Sequence, residues 1–190
     1  MKPFDSRGYL PVSGVRLVGA RLHVHWSAMA AAALLLALWV RHPAQALAVV
    51  AGYFGVILLH EIGHAAMARR LRGRATDIRL ALLHGECEYR GVETRREDAL
   101  VAWGGVLAQL AVALPLLALS QWPAFVAQPL AGIAVAAFGW FSLFVAAVNL
   151  APMRGLDGAR AWPLLPILLR EWRARGVARK TARALMQRLK

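Results

Sequence analysis

Residues 44–68 read AQALAVVAGYFGVILLHEIGHAAMA, and this stretch decides the class of protein. It carries a single amide, Gln45, before a polar cluster at His60, Glu61 and His64. About 20 apolar residues in helical form cover the hydrocarbon core of a bilayer, so the stretch reads as a membrane span with ionisable groups near its end. Each such group costs at least ~2.5 kcal/mol at mid-bilayer and marks a functional position. On a helix, positions i and i+4 share a face, so both imidazoles can reach one ion. The glutamate beside the first histidine can then act as a base toward water.

Working outward, residues 26–40, 99–119 and 124–150 are long and apolar enough, or nearly so, to cross a bilayer as well. The first is short and is expected to draw on Leu22 to His25 at the interface, and Pro129 marks where the last becomes regular helix. The whole chain of 190 residues is 59% apolar and 17% charged, against roughly 45–50% and about 25% for soluble domains. That composition excludes disorder, and a single cysteine, Cys87, excludes a disulfide scaffold. A net charge of +13 would suit a nucleic-acid binder, but a soluble basic patch has no use for lipid-length segments. No nucleic-acid partner is expected. A cleaved signal peptide is not expected either, since mixed residues precede the first apolar run and no small-residue cleavage site follows it.

The basic charge has a simpler meaning. Of 23 Lys and Arg, 22 precede the first span, lie between the second and third, or follow the fourth. Only Arg41 falls in an opposite loop. The positive-inside rule then puts both termini and the loop of residues 69–98 in the cytoplasm, as a multi-pass protein of the cell (inner) membrane. Small-xxx-small pairs such as Ala51/Gly55, Gly104/Ala108 and Gly132/Ala136 would let helix backbones approach closely. Between the second and third spans, residues 76–89 alternate and turn at His84-Gly85, which predicts a small hairpin. Its segment 78–83 is expected to offer an exposed edge for strand addition. The basic tail from residue 159 places Ala178, Ala182, Leu185 and Leu189 at helical spacing and is expected to lie on the membrane surface.

Two histidines leave a zinc site incomplete, because a catalytic zinc takes three protein ligands plus water. Asp157 is the candidate for the third. It stands past the fourth span in NLAPMRGLDG, residues 149–158, where Pro152, Gly155 and Gly158 break the helix and turn the chain back. By the charge count, this turn and the histidine pair lie on the same side.

The chain resembles the site-2 protease family of intramembrane zinc metalloproteases, through His60-Glu61-Ile62-Gly63-His64 and the Asn149…Pro152…Leu156-Asp157-Gly158 pattern. The resemblance implies that His60, His64 and Asp157 bind one Zn2+ per chain, that Glu61 is the catalytic base, and that Asn149 sits near the site and touches substrate. Many members carry Gly-Pro followed by Asn in the middle core span. Here Gly105 stands for the Pro and Gln109 for the Asn. Without room for PDZ or nucleotide-sensing domains, this would be a minimal version.

The remaining polar residues have plainer readings. His23 and His25 look like an interfacial anchor beside Trp26, and His84 like a solvated turn residue. Cys87 is expected to be a free thiol facing a reducing compartment, and Trp103, Trp122 and Trp140 belt or packing aromatics. The expected fold is an all-α polytopic membrane protein of about four transmembrane helices with a small cytoplasmic β-hairpin. Residues 1–25 form a cytoplasmic N-terminal segment, 26–158 the transmembrane metalloprotease core, and 159–190 a basic amphipathic tail. The expected partners are the lipid bilayer and a membrane protein substrate whose peptide bonds it hydrolyses. A non-catalytic zinc-binding scaffold and, less readily, a metal transporter are the alternatives. The intact Glu61 argues against the first, because a structural site needs no base. The absence of an internal repeat argues against the second.

Overall fold

A computed structural model describes residues 7–188. In chain order it has β1 (Tyr9–Leu17), β2 (Ala20–His25), α1 (Trp26–Leu38), α2 (Pro43–Arg70), β3 (Arg74–Leu80), β4 (Gly85–Arg90) and α3 (Arg95–Leu119). There follow α4 (Pro123–Val126), α5 (Ala131–Ala134), a π-helical segment (Val135–Phe141), α6 (Ser142–Asn149), α7 (Gly158–Ala161) and α8 (Leu164–Arg188). Three helical stretches are long and apolar enough to cross a membrane: Pro43–Arg70, Arg95–Leu119 and Ala131–Asn149. The first apolar run becomes α1, of only 13 residues. At 1.5 Å per residue that is roughly 20 Å, against a hydrocarbon core of about 30 Å.

The reason is local. Leu22 to His25, expected to lengthen this helix, are strand, with Leu22 paired to Ile78 and Val24 to Leu80 of β3. His25 caps α1 instead of joining it, its side chain accepting from the Ser27 amide. The expected two-stranded hairpin exists as β3 and β4, but it is half of a four-stranded sheet in the order β1-β2-β3-β4. Residues 9–25, read as a segment outside the core, supply the other half. The stretch 78–83 therefore has no free edge along its strand residues: β3 pairs with β2 on one side and β4 on the other. The outer strands are β1 and β4.

The sheet rests on one face of α2. Ala20, Ala75 and Ile78 form a buried cluster with Ala65, and Leu58, Ile62 and Cys87 pack against it. Positions 58, 62 and 65 recur at helical spacing, so one stripe of α2 meets the sheet. Another stripe meets α3, where the backbones nearly touch. A Cβ on Gly63 would lie 2.7 Å from the Ala108 Cβ, and one on Gly104 would lie 2.8 Å from the Met67 Cβ. This is the small-residue contact expected of Gly104/Ala108. Gly55 has the same character, its missing Cβ leaving room for the Phe138 ring, whereas Gly132 faces open space.

The tail is a helix, as its spacing predicted, with Leu165, Leu168, Leu169 and Trp172 exposed along its first half. Leu189, and the side chains of Ala182 and Leu185, lie outside the described residues.

Candidate metal centre

His60, Glu61 and His64 sit on the buried side of α2, each no more than 6% exposed. The His60 Nε2 and His64 Nε2 atoms are 3.0 Å apart. Asp157 arrives from the turn after α6, its Oδ2 2.8 Å from His60 Nε2 and 3.0 Å from His64 Nε2. Among the described residues this trio is the one group of His, Cys, Asp or Glu arranged to hold a metal ion.

The outer nitrogens of the two rings explain why the inner ones converge. His64 Nδ1 lies 2.7 Å from the Val101 carbonyl oxygen and His60 Nδ1 lies 3.0 Å from Gln109 Oε1. Both partners accept, so each Nδ1 carries the hydrogen and each Nε2 presents a bare lone pair. Three acceptors facing one another repel unless a cation lies between them. Tetrahedral ligands about 2.0–2.1 Å from zinc stand roughly 3.3 Å apart, so an expansion of a few tenths of an ångström would admit the ion. The donor set fits zinc, and each imidazole has the outer-nitrogen partner that metal-binding histidines use.

Each position has a sequence cause. The Val101 carbonyl reaches His64 because Gly63 and Gly104 bring α2 and α3 together. A Cβ on Gly105 would lie 2.6 Å from His60 Cε1, so the glycine standing where the resembling family carries proline makes room for the imidazole. Gln109 is fully buried, and its Nε2 has no hydrogen-bond partner among the described residues. The turn bearing Asp157 is built differently. Gly155 takes φ +93°, a left-handed conformation suited to glycine, and a Cβ on Gly158 would collide with the Leu150 and Ala151 carbonyls. The Trp162 indole donates to the Leu150 carbonyl at 2.7 Å, and Trp103 donates to the Ala161 carbonyl at 3.1 Å. The two indoles meet edge to face, 5.7 Å apart. Trp103 is thus a packing residue with a specific job.

Glu61 lies beneath the start of β4. A Cβ on Gly85 would come within 2.5 Å of its Cγ and Oε1. A cavity of about 610 Å³ opens over the trio, lined also by Glu61, Tyr53, Phe141, Asn149 and Arg160. That volume is typical of small-molecule and peptide-side-chain pockets. Asn149, the expected substrate contact, therefore lines the same cavity as His60, His64 and Asp157. Tyr53 donates to the Leu82 carbonyl at 2.6 Å and stacks on Phe141 of the π-helical segment. A second cavity of similar size, between residues 41–45 and 128–130, is lined by His42 but by no cluster of metal-ligating side chains among the described residues. His23 and His25 lie in β2 and do not join the trio.

Sequence reasoning did not find the Val101 carbonyl, Tyr53 or Arg160. A carbonyl has no sequence signal, and Arg160 was counted only as topology charge.

No model of a known protein family matches the sequence, and neither does the sequence of any curated protein. Among solved structures, the Site-2 Protease from Methanocaldococcus jannaschii has a similar fold, with a TM-score of 0.57 over 86% of this chain and 72% of that chain, at 16% identity. The chain shares its fold with that protease.

Proposed function

We propose that this chain is an intramembrane zinc metalloprotease that hydrolyses peptide bonds in or beside the transmembrane segments of membrane proteins. The observation that carries the proposal is the convergence of three lone pairs, on His60, His64 and Asp157, beside the buried carboxyl of Glu61. A zinc ion held by these groups supplies Lewis acidity and lowers the pKa of water to about 7. Glu61 serves as the base that takes a proton from water and returns it to the leaving amine. Gln109 and the Val101 carbonyl hold the imidazoles in the tautomer that this work requires.

A helical substrate shields its own peptide carbonyls and must be locally extended before one can react. Among the described residues no strand pairs with the outer edge of β4, and this edge passes over Glu61. It offers backbone partners to an extended segment, with Asn149, which lines the same cavity, contacting that peptide. The charge asymmetry supports a membrane orientation with both termini and residues 69–98 in the cytoplasm. Reporters fused after Arg74 should then behave as cytoplasmic and one near Gln121 as external. The reverse pattern would invert the topology.

The direct test uses purified protein in detergent. It should carry close to one zinc per chain, lose cleavage of an added, purified membrane substrate on chelation, and regain it with zinc. Cleavage that survives complete metal removal would rule the proposal out.

A further inference from the structure

Asp157 has two carboxylate oxygens, and only one of them faces the histidines. Oδ2 meets both imidazoles, while Oδ1 lies 4.0 Å from Arg160 Nη1, one helical turn further on. Arg160 is itself fixed from the other side. Its Nε donates to Asp98 Oδ2 at 3.1 Å and its Nη2 donates to Asp98 Oδ1. Nη2 also contacts the Tyr89 hydroxyl, which donates to Asp98 Oδ1 at 2.9 Å. The guanidinium carbon lies 5.7 Å from the centre of the Tyr89 ring. Three elements thus converge on one side chain: β4 through Tyr89, the first turn of α3 through Asp98, and α7 through Arg160 itself.

The planar fork makes this division of labour possible. Asp98 occupies the Nε–Nη2 edge side-on, the bidentate geometry that arginine and carboxylate prefer. Nη1 is left over, and it points toward the oxygen of Asp157 that the metal does not need. A lysine, with one point charge on a flexible stem, cannot serve both carboxylates in fixed directions.

We infer that Arg160 is a positioning residue that keeps Asp157 a one-oxygen ligand, with Asp98 and Tyr89 as its support. This rests on the metalloprotease reading above and adds to it. By drawing Oδ1 away from the centre, Arg160 leaves a single carboxylate oxygen beside the two nitrogens, and a zinc ion held there would keep one coordination position open. Neither Arg160 nor Asp98 is assigned contact with the reacting atoms. Partners of this outer kind typically cost 10–100-fold in metal affinity when removed.

Cobalt(II) is the probe, because four-coordinate cobalt absorbs visible light much more strongly than five- or six-coordinate cobalt. The full chain, purified in detergent and stripped of metal, is titrated with cobalt alone. The wild type should show the intense four-coordinate spectrum. Arg160→Gln should bind cobalt roughly 10–100-fold more weakly and show a weaker band, as Oδ1 joins the centre. Asp98→Asn, which leaves the arginine in place but unsupported, should shift both readouts in the same direction by less. It also answers the question if Arg160→Gln does not fold. Arg160→Lys should recover part of the affinity while the band stays weak. Cobalt binding in the wild type with an unchanged affinity and spectrum in Arg160→Gln and Asp98→Asn would overturn this assignment alone. A wild type that takes up no cobalt would overturn the metalloprotease reading together with it.

Discussion

The two arms of the candidate metal centre are built on different principles. His60 and His64 project from one turn of α2, so their 3.0 Å separation follows from helix geometry once Gln109 and Val101 hold the rings. Asp157 comes from a turn of glycines and a proline, in a conformation with no regular repeat. Its place depends on side-chain contacts made by Trp103, far away in sequence, and by Trp162 and Arg160 just beyond it. The histidine arm should fail only when its helix is moved. The aspartate arm should loosen by degrees, because several separate contacts share the load.

The most damaging change to the histidine arm is at the crossing that brings α3 to α2. Gly63→Val puts methyl groups where Gly104 and Ala108 already stand. Overpacking of this kind costs about 1–3 kcal/mol, and separating the helices also takes the Val101 carbonyl from His64. Thermal unfolding in detergent and zinc content should both fall. A variant with the wild-type melting point would mean that the close crossing is not needed.

A smaller effect is expected on the other arm. Trp103→Phe keeps the aromatic packing against Trp162 and removes only the bond to the Ala161 carbonyl. The loss should be about 0.5–1.5 kcal/mol, read as zinc retention weakened by up to roughly tenfold, with a nearly unchanged melting point. An equal loss of zinc and of global stability would place Trp103 in the common framework of both arms.

Least affected is the hairpin above the centre. Burial first, and then the neighbouring Glu61 carboxylate, push the Cys87 thiol up to about 12. A raised thiol pKa means less thiolate at any given pH, so alkylation at pH 8 should be far slower in the folded protein than in the denatured chain, where the thiol ionises near 8.5. Equal rates would show that the hairpin leaves the surface of α2, and that neither arm is covered.

The same contrast explains what could be read from the sequence. The histidine pair was legible because its spacing is that of a helix, and Asp157 because helix breakers around a lone carboxylate after an apolar run are unusual. The β3–β4 hairpin was visible in the alternation of Ile78, Leu80 and Leu82. Its partners β1 and β2 were not. Pro11 and Gly14 interrupt the alternation of β1, a bulge separates Pro11 from Arg16, and the strands join through Val18 and Gly19, both left-handed. A β-branched residue at positive φ is a poor turn signal. Arg160 was hidden for another reason: among 23 basic residues, nothing local separates the one that meets Asp98 and Asp157 from the rest.

The central claim is that three groups hold the metal while a fourth, Glu61, moves the proton. Zinc content of the purified protein, measured beside cleavage of a co-expressed membrane substrate, tests it for Glu61→Gln and Asp157→Asn together. Glu61→Gln keeps the size of the side chain and removes its basicity. It should retain nearly one zinc per chain and lose cleavage by about 10²–10⁴-fold. Asp157→Asn should lose zinc and cleavage alike. An active Glu61→Gln, or an Asp157→Asn protein with full zinc and full activity, would contradict the account.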